Sequence, residues 1–212
     1  MTTPWDRLSL SQYLSALGSS SPTPGGGSAA ALAGALASAL GRMVVAVSHE
    51  KEPTAQRAEL LAAFTHLEGQ FLDLAAEDEL AFAHVMEALR MPRDAAGRRE
   101  RLETACAAAA DVPLRTARTA ISLLERLSEA ESHASRAIVS DVGAAALLAH
   151  AAAHSSVLNV QANLASIKDP RIAERLLRAA DDARTAADDA QAAVLNRVQK
   201  RLVPRTPSND AS

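Results

Sequence analysis

The apolar part of this sequence consists of alanine, leucine and valine, with very few aromatic residues. Hydrophobic residues make up 48% of the 212 residues, but aromatic residues make up only 2%. Alanine and leucine favour helices, whereas strands are enriched in β-branched and aromatic side chains. A core built largely from alanine also requires helices that approach one another closely. The sequence therefore predicts an all-α protein whose Ala-rich helices pack at short range.

Prolines and glycines divide the chain into about six helices, which we expect to form an antiparallel bundle with short connections. The predicted helical segments are residues 10–17, 28–52, 54–91, 94–130, 135–168 and 170–202. Pro113 is expected to break the fourth segment into two pieces, and Ser28 is the predicted N-cap of the second. We expect a single domain over residues 1–202 and a disordered tail over residues 203–212.

Charge and cysteine content restrict the partners and the compartment. The formal net charge is −3, without the basic excess of a nucleic-acid-binding protein or of a membrane-surface protein. Residues 28–47 could cross a bilayer by length, but their alanine and glycine content and Arg42 favour a buried helix. We therefore expect no nucleic acid and no membrane partner. Cys106 is the only cysteine and no signal-like segment opens the chain, so we expect a cytoplasmic protein.

Asp78 interrupts an otherwise apolar seam in the third predicted helix. Apolar residues recur there in alternating steps of four and three. They are leucine, phenylalanine or alanine at residues 60, 64, 67, 71, 74, 81 and 88, and valine at residue 85. An aspartate in such surroundings loses hydration, which raises its pKa and suits it to hold or pass a proton. A capping or salt-bridged aspartate would produce the same pattern. The sequence leaves both interpretations open.

Three glycines, residues 25–27, precede the second predicted helix. They leave backbone amides accessible, and a helix N-terminus favours an anionic or polar ligand. The segment is neither a Walker A loop nor a dinucleotide fingerprint, because no Gly-Lys-Ser/Thr follows and no strand precedes it. A tight connection between close-packed helices remains the alternative interpretation.

Polar residues also recur within the fifth and sixth predicted helices. Ser155, Asn159 and Asn163 share one face, where amides could bind a flat heteroaromatic ligand or each other across helices. His150 and His154 have the i, i+4 spacing of a metal pair, but no third ligand is evident, so no metal site is predicted. The acidic pairs at 181–182 and 188–189 fit a solvated face, and we assign them no chemistry.

Three segments together resemble the cyclodeaminase/cyclohydrolase family of tetrahydrofolate enzymes over residues 8–201. They are LSQYLSALGSSSPTPGGGSAAALAGALASALGRMV, EDELAFAHVMEALRMP and SDVGAAALLAHAAAHSSVLNVQANLASIKD. The resemblance implies an all-helical homodimer that takes a tetrahydrofolate derivative as substrate and needs no tightly bound cofactor. It assigns the catalytic role to Asp78. The substrate-binding residues it implies are Pro24, Gly25, Gly26, Gly27, Ser28, Phe82, Arg90, Asp141, Asn159 and Asn163. The smooth helix face at Gly34, Ser38 and Gly41 is the expected dimer contact.

Among the family reactions, we expect hydrolysis of 5,10-methenyltetrahydrofolate to 10-formyltetrahydrofolate, with Asp78 as general acid and base. This expectation rests on the absence of a formiminotransferase domain ahead of the helical one. A formiminotetrahydrofolate cyclodeaminase is the first alternative. The second is a catalytically weakened folate-binding or scaffold protein, because Leu80 and Ser135 replace the family's usual Glu and Asn. Arg90 replaces the usual Lys and keeps its positive charge.

Overall fold

A computed structural model describes residues 8–203, which contain six α-helices and no strand. The helices are α1 Leu10–Leu17, α2 Gly26–Lys51, α3 Ala55–Arg90, α4 Arg98–His133, α5 Val139–Leu164 and α6 Pro170–Leu202. The predicted all-α class is confirmed. The predicted disordered tail falls almost entirely on residues 204–212, which lie outside the described residues.

Helices α2 to α5 form an antiparallel four-helix bundle, and α6 packs against its side. Each of α2, α3, α4 and α5 contacts the next, and α5 closes the ring on α2. The main core lies inside this ring, and a second apolar cluster fills the space between α4, α5 and α6. α2 is long and apolar enough to cross a membrane by length and composition, but half of its most apolar segment is buried inside the bundle.

The close packing of α2 on α3 depends on two glycines. A Cβ at Gly34 would lie 2.6 Å from Cδ1 of Phe71, and one at Gly41 would lie 2.5 Å from Cε1 of Phe64. The two phenylalanine rings therefore pack directly on the α2 backbone. Ser38 lies between the glycines, and its hydroxyl donates to the Gly34 carbonyl at 2.9 Å. The prediction that this face contacts a second copy is wrong, because the face already packs against α3 within the chain.

The long third helix and its seam agree with the prediction. α3 runs without interruption from Ala55 to Arg90, and the Thr54 hydroxyl caps it by accepting from the Arg57 amide at 3.2 Å. The seam residues on either side of Asp78 are buried, so this helix carries the aspartate into the bundle interior. The first and last helices also begin as predicted, after the N-caps Ser9 and Asp169.

Pro113 does not break α4, contrary to the prediction. Proline removes the N–H that would bind the carbonyl four residues earlier, which costs a helix about 3 kcal/mol. In this protein the side-chain amide of Asn163 donates to that carbonyl, on Ala109, at 2.9 Å. Pro113 is itself buried, and α4 contributes buried residues along most of its length. Tertiary packing and the substitute hydrogen bond therefore keep one continuous helix.

The start of α2 also differs from the prediction. The helix begins at Gly26 with Gly25 as its N-cap, so Ser28 is not the cap. The Ser28 hydroxyl instead donates to the Gly25 carbonyl at 3.1 Å and lies 3.2 Å from the hydroxyl of Tyr13 on α1. Glycine offers no side-chain cap, so the first amides of α2 remain available to other groups. α5 similarly begins at Val139, four residues later than expected.

Candidate active site

A cavity of about 210 Å³ opens where the N-terminus of α2 meets the middle of α3 and the second half of α5. Most of the predicted site residues contribute to its wall. The lining residues are Pro22, Thr23, Gly25, Gly26, Gly27, Asp78, Phe82, Val85, Ala109, Asn159 and Asn163. Its size is below the roughly 300–1,000 Å³ of sites that enclose a drug-sized ligand. It therefore suits one bicyclic ring of a larger molecule.

The Asp78 carboxylate lies directly against the first turn of α2. A Cβ at Gly27 would be only 2.6 Å from Oδ2 of Asp78, so glycine is required for this approach. Burial of the carboxyl raises the pKa of Asp78, and a hydrogen bond from the Ser28 backbone amide partly offsets this rise. A carboxyl group with a raised pKa, facing a cavity, can exchange protons with a ligand.

The α2 N-terminus supplies polar backbone groups to the same cavity. Gly25 and Gly26 line it, and no side chain caps the helix. Gly26 faces α5, where a Cβ added to it would lie 3.5 Å from both amide atoms of Asn159. Because the glycines carry no side chains, a ligand can reach the N–H groups between Asp78 and this asparagine.

Two asparagines of α5 are oriented by hydrogen bonds within the protein. The amide nitrogen of Asn159 donates to the Ser155 carbonyl at 2.7 Å, and that of Asn163 donates to Ala109. Each bond uses an N–H of the asparagine side chain, and both residues line the cavity. An amide oxygen accepts from ring N–H and amino groups, which are abundant on a pterin. Asn163 thus combines support of α4 with a place in the cavity.

Tyr13 and Glu79 adjoin this site and were missed by the sequence analysis. Tyr13 is buried and its hydroxyl contacts the Ser28 hydroxyl, behind the glycine turn. Burial raises the pKa of Glu79, and the neighbouring negative charge of Asp78 raises it further. One Glu79 carboxyl oxygen is buried without a hydrogen-bond partner among the described residues. The signals available in the sequence were that Tyr13 is the only tyrosine and that Glu79 directly follows Asp78.

Four predicted site residues do not line the cavity. Pro24 and Ser28 adjoin lining residues in the sequence, and the Ser28 hydroxyl donates to the Gly25 carbonyl. Arg90 is exposed at the end of α3, about 18 Å along the helix from Asp78. Asp141 lies in the first turn of α5, about 27 Å along that helix from Asn159. The structure therefore does not bring Arg90 or Asp141 to the aspartate.

The residues that depart from the family pattern also lie away from this cavity. Leu80 is 57% exposed on the outer face of α3, and Ser135 is exposed in the connection after α4. A larger groove of about 730 Å³ lies between the end of α3 and the start of α4, lined in part by His84, Glu87 and Arg101. None of the three glycines or the two asparagines lines that groove. The smaller cavity is thus the place where the unusual polar residues converge.

Several known proteins are similar to this chain. The family described as Formiminotransferase-cyclodeaminase matches residues 9–182. Methenyltetrahydrofolate cyclohydrolase of Methylorubrum extorquens is 35% identical, over 78% of this chain and 84% of that protein. Formimidoyltransferase-cyclodeaminase of Gallus gallus is 31% identical over 76% of this chain, which spans only 31% of that protein. The crystal structure of formiminotetrahydrofolate cyclodeaminase from Thermotoga maritima superposes with a TM-score of 0.85 at 26% identity, covering 94% of this chain and all of that one.

Proposed function

The chain belongs to the formiminotransferase-cyclodeaminase family, and from this we propose that it is an enzyme that hydrolyses 5,10-methenyltetrahydrofolate to 10-formyltetrahydrofolate. One structural observation carries the proposal: a carboxylate with a raised pKa faces a cavity shared with a glycine-lined helix N-terminus and two oriented amides. The 35% sequence identity to a methenyltetrahydrofolate cyclohydrolase, over most of both chains, supports this choice among the family reactions.

The chemistry requires little more than proton transfer and positioning. The carbon that bridges N5 and N10 is electrophilic, because it belongs to a cationic amidinium group. Asp78 removes one proton from the attacking water as the C–O bond forms. It then returns that proton to N5 as the C–N5 bond breaks, while the remaining hydroxyl proton leaves to solvent and the formyl group stays on N10. A carboxyl with a raised pKa suits both steps.

The other cavity residues would orient the pterin. The oxygens of Asn159 and Asn163 would accept hydrogen bonds from the ring N–H and amino groups. Phe82 offers an aromatic surface to the ring, in a chain with few aromatic residues. The amides at Gly25 and Gly26 would donate to a carbonyl or other polar atom of the substrate. The aminobenzoyl-glutamate part would extend out of the cavity.

A formiminotetrahydrofolate cyclodeaminase is the second candidate, favoured by the close structural similarity to the Thermotoga maritima cyclodeaminase. In that reaction N10 attacks the formimino carbon and ammonia leaves, so the same aspartate could transfer the protons. A paired assay separates the two. The purified chain is given 5,10-methenyltetrahydrofolate, with loss of its absorbance followed, and separately 5-formiminotetrahydrofolate, with ammonia release followed. A cyclohydrolase accelerates the first reaction markedly and the second little, and the reverse result overturns the choice.

Substitution of Asp78 tests the catalytic assignment. Asp78→Asn keeps the side-chain volume but removes proton transfer, so kcat should fall by about 10²-fold or more while the helical circular dichroism is unchanged. Wild-type turnover in this variant would refute the role of Asp78. Binding of methenyltetrahydrofolate by the parent protein without faster hydrolysis would instead support a folate-binding protein. The exposed positions of Leu80 and Ser135 argue against that outcome.

We also propose that the enzyme is a homodimer that uses the outward faces of α2 and α5. These two helices pack on each other and keep large side chains exposed, with Leu36 at 55%, Leu147 at 52% and Leu158 at 66%. Apolar side chains on adjacent helices favour a self-complementary contact. Sedimentation at micromolar concentration should show twice the 22.1 kDa chain mass. Leu36→Glu should shift the protein to the monomer, and a monomeric parent protein would overturn the proposal.

We propose a cytoplasmic location and a reaction without a tightly bound cofactor. Cys106 is buried and unpaired, as suits a reducing compartment. The catalytic steps assigned to Asp78 need only water and protons. Full activity after extensive dialysis, with no chromophore retained by the purified chain, would support the cofactor proposal, and activity that returns only on adding back a dialysed small molecule would refute it.

A further inference from the structure

Two histidines and an aspartate come together where α5 packs against α6. His150 and His154 lie one turn apart on α5, with ring centroids 4.1 Å apart. The Nε2 atoms of both rings hydrogen-bond to the same oxygen, Oδ1 of Asp188, at 2.7 and 2.8 Å. The sequence does not reveal this third partner of the histidine pair, because Asp188 lies 34 residues after His154 on another helix.

The position of this cluster suits ion binding better than a solvated charged face. The side chains are 25%, 35% and 44% exposed, in the order His150, His154 and Asp188, so solvent reaches them without surrounding them. The other Asp188 oxygen lies 3.9 Å from a guanidinium nitrogen of Arg184, a distance that leaves it a weak competitor.

We propose that His150, His154 and Asp188 bind one divalent transition-metal ion, with Zn²⁺ the best chemical match. The three donor atoms all lie within 4.8 Å of one another. Two imidazole nitrogens and one carboxylate oxygen are a ligand set typical of zinc, with a water in the fourth position. Tetrahedral bonds of about 2.0–2.1 Å place donor atoms roughly 3.3 Å apart. Each histidine Nε2 atom, now 2.7 or 2.8 Å from Oδ1 of Asp188, must therefore move only about half an ångström away from that oxygen. On binding, the ring hydrogens transfer through solvent from Nε2 to Nδ1, which frees the Nε2 lone pairs for the metal.

The site is separate from the proposed catalytic cavity. His154 precedes Asn159 by five residues, about 7.5 Å along α5, and neither histidine lines the cavity. A metal here would join α5 to α6 and so stabilise the helix that carries both cavity asparagines. We therefore expect bound metal to raise the melting temperature while leaving the chemical step of the enzyme nearly unchanged.

Calorimetric titration of the chelator-treated full chain with Zn²⁺ tests the proposal directly. The expected result is one equivalent bound with a micromolar or tighter dissociation constant. Titration with Co²⁺ should give the visible absorption bands of a four-coordinate ion. His154→Gln and Asp188→Asn should each weaken Zn²⁺ binding by about 10-fold or more, because each removes one of three ligands. Both of the replaced side chains are partly exposed, so each variant should keep the fold.

Matched controls use residues of the same types outside the cluster. His66→Gln on α3 and Asp182→Asn on α6 alter exposed side chains and should leave the Zn²⁺ dissociation constant unchanged. The absence of saturable Zn²⁺ and Co²⁺ binding by the unsubstituted chain would overturn the proposal, whether or not any variant folds. Equal weakening in the control variants would do the same, since the metal would then bind elsewhere. Neither outcome bears on hydrolysis at Asp78.

Discussion

Gly27→Ala adds one methyl group at the point where α2 meets the catalytic carboxylate. Gly27 is helical and does not have the positive φ that would strain an alanine, so the backbone accommodates the substitution. The new Cβ would lie 2.6 Å from Oδ2 of Asp78 and nearer still to the other carboxyl oxygen. This substitution therefore tests the position of the carboxylate without changing its chemistry.

The size of the effect follows from the displacement. Non-bonded carbon atoms pack at about 3.5–4.0 Å, and a carbon and an oxygen only slightly closer, so the carboxylate must retreat by roughly 1 Å. A misplacement of that size can cost about 10²-fold in rate. The retreat also strains the hydrogen bond from the Ser28 amide, and a bond of this kind to a charged group contributes about 1.5–3 kcal/mol. We expect kcat to fall by about 10²-fold with a smaller change in KM.

The assay is steady-state hydrolysis of 5,10-methenyltetrahydrofolate, with kcat and KM determined separately. Gly69→Ala is the matched control, because Gly69 lies within α3 and an added Cβ meets nothing within 4 Å. It should leave kcat unchanged and raise stability by about 0.5–1 kcal/mol. Gly26→Ala should have an intermediate effect, mainly on KM, since its Cβ makes an ordinary 3.5 Å contact with Asn159. If Gly27→Ala retains the parent kcat, the contact between Gly27 and Asp78 does not position the catalytic group.

Three further predictions concern stability and its dependence on pH. The pKa of Asp78 is raised in the folded state, so the folded chain holds this proton more tightly and loses stability as pH rises from about 4 through the raised pKa. Asp78→Asn should therefore unfold at a higher temperature than the parent at pH 7, and a difference that does not shrink toward pH 4 would contradict this. Asn163→Leu should lower the free energy of unfolding in urea by about 1–3 kcal/mol, because it leaves the Ala109 carbonyl unpaired. The loss should be smaller in a chain that also carries Pro113→Ala, which restores the helical N–H. Additive effects of the two mutations would show that the Asn163 bond does not replace the missing helical bond. Tyr13→Phe should cost about 0.5–1.5 kcal/mol through its lost contact with the Ser28 hydroxyl, and an unchanged midpoint would contradict that.

The boundaries of most helices could be predicted because they depend on nearby residues. The first and last helices begin at the predicted residues, after the N-caps Ser9 and Asp169, and the proline-free segment from residue 55 to residue 90 forms one helix. Pro113 shows where local reasoning fails. Its effect on α4 depends on Asn163, 50 residues away in the chain, which supplies the missing hydrogen bond. The family resemblance implied that Asn163 contacts the substrate, and the structure shows that its side chain supports the α4 backbone.

The candidate site could be predicted in part. The sequence by itself determined that Asp78 lies on an apolar face and that three glycines begin a helix, because helical periodicity and backbone chemistry are local properties. Only the tertiary structure decided that these two features touch, that Asp141 lies far from both, and that Asp188 meets the histidine pair. Those outcomes depend on the register and spacing between helices. Register and spacing are set by contacts such as the Phe71 ring on Gly34, whose partners are far apart in the chain and leave no periodic signal in it.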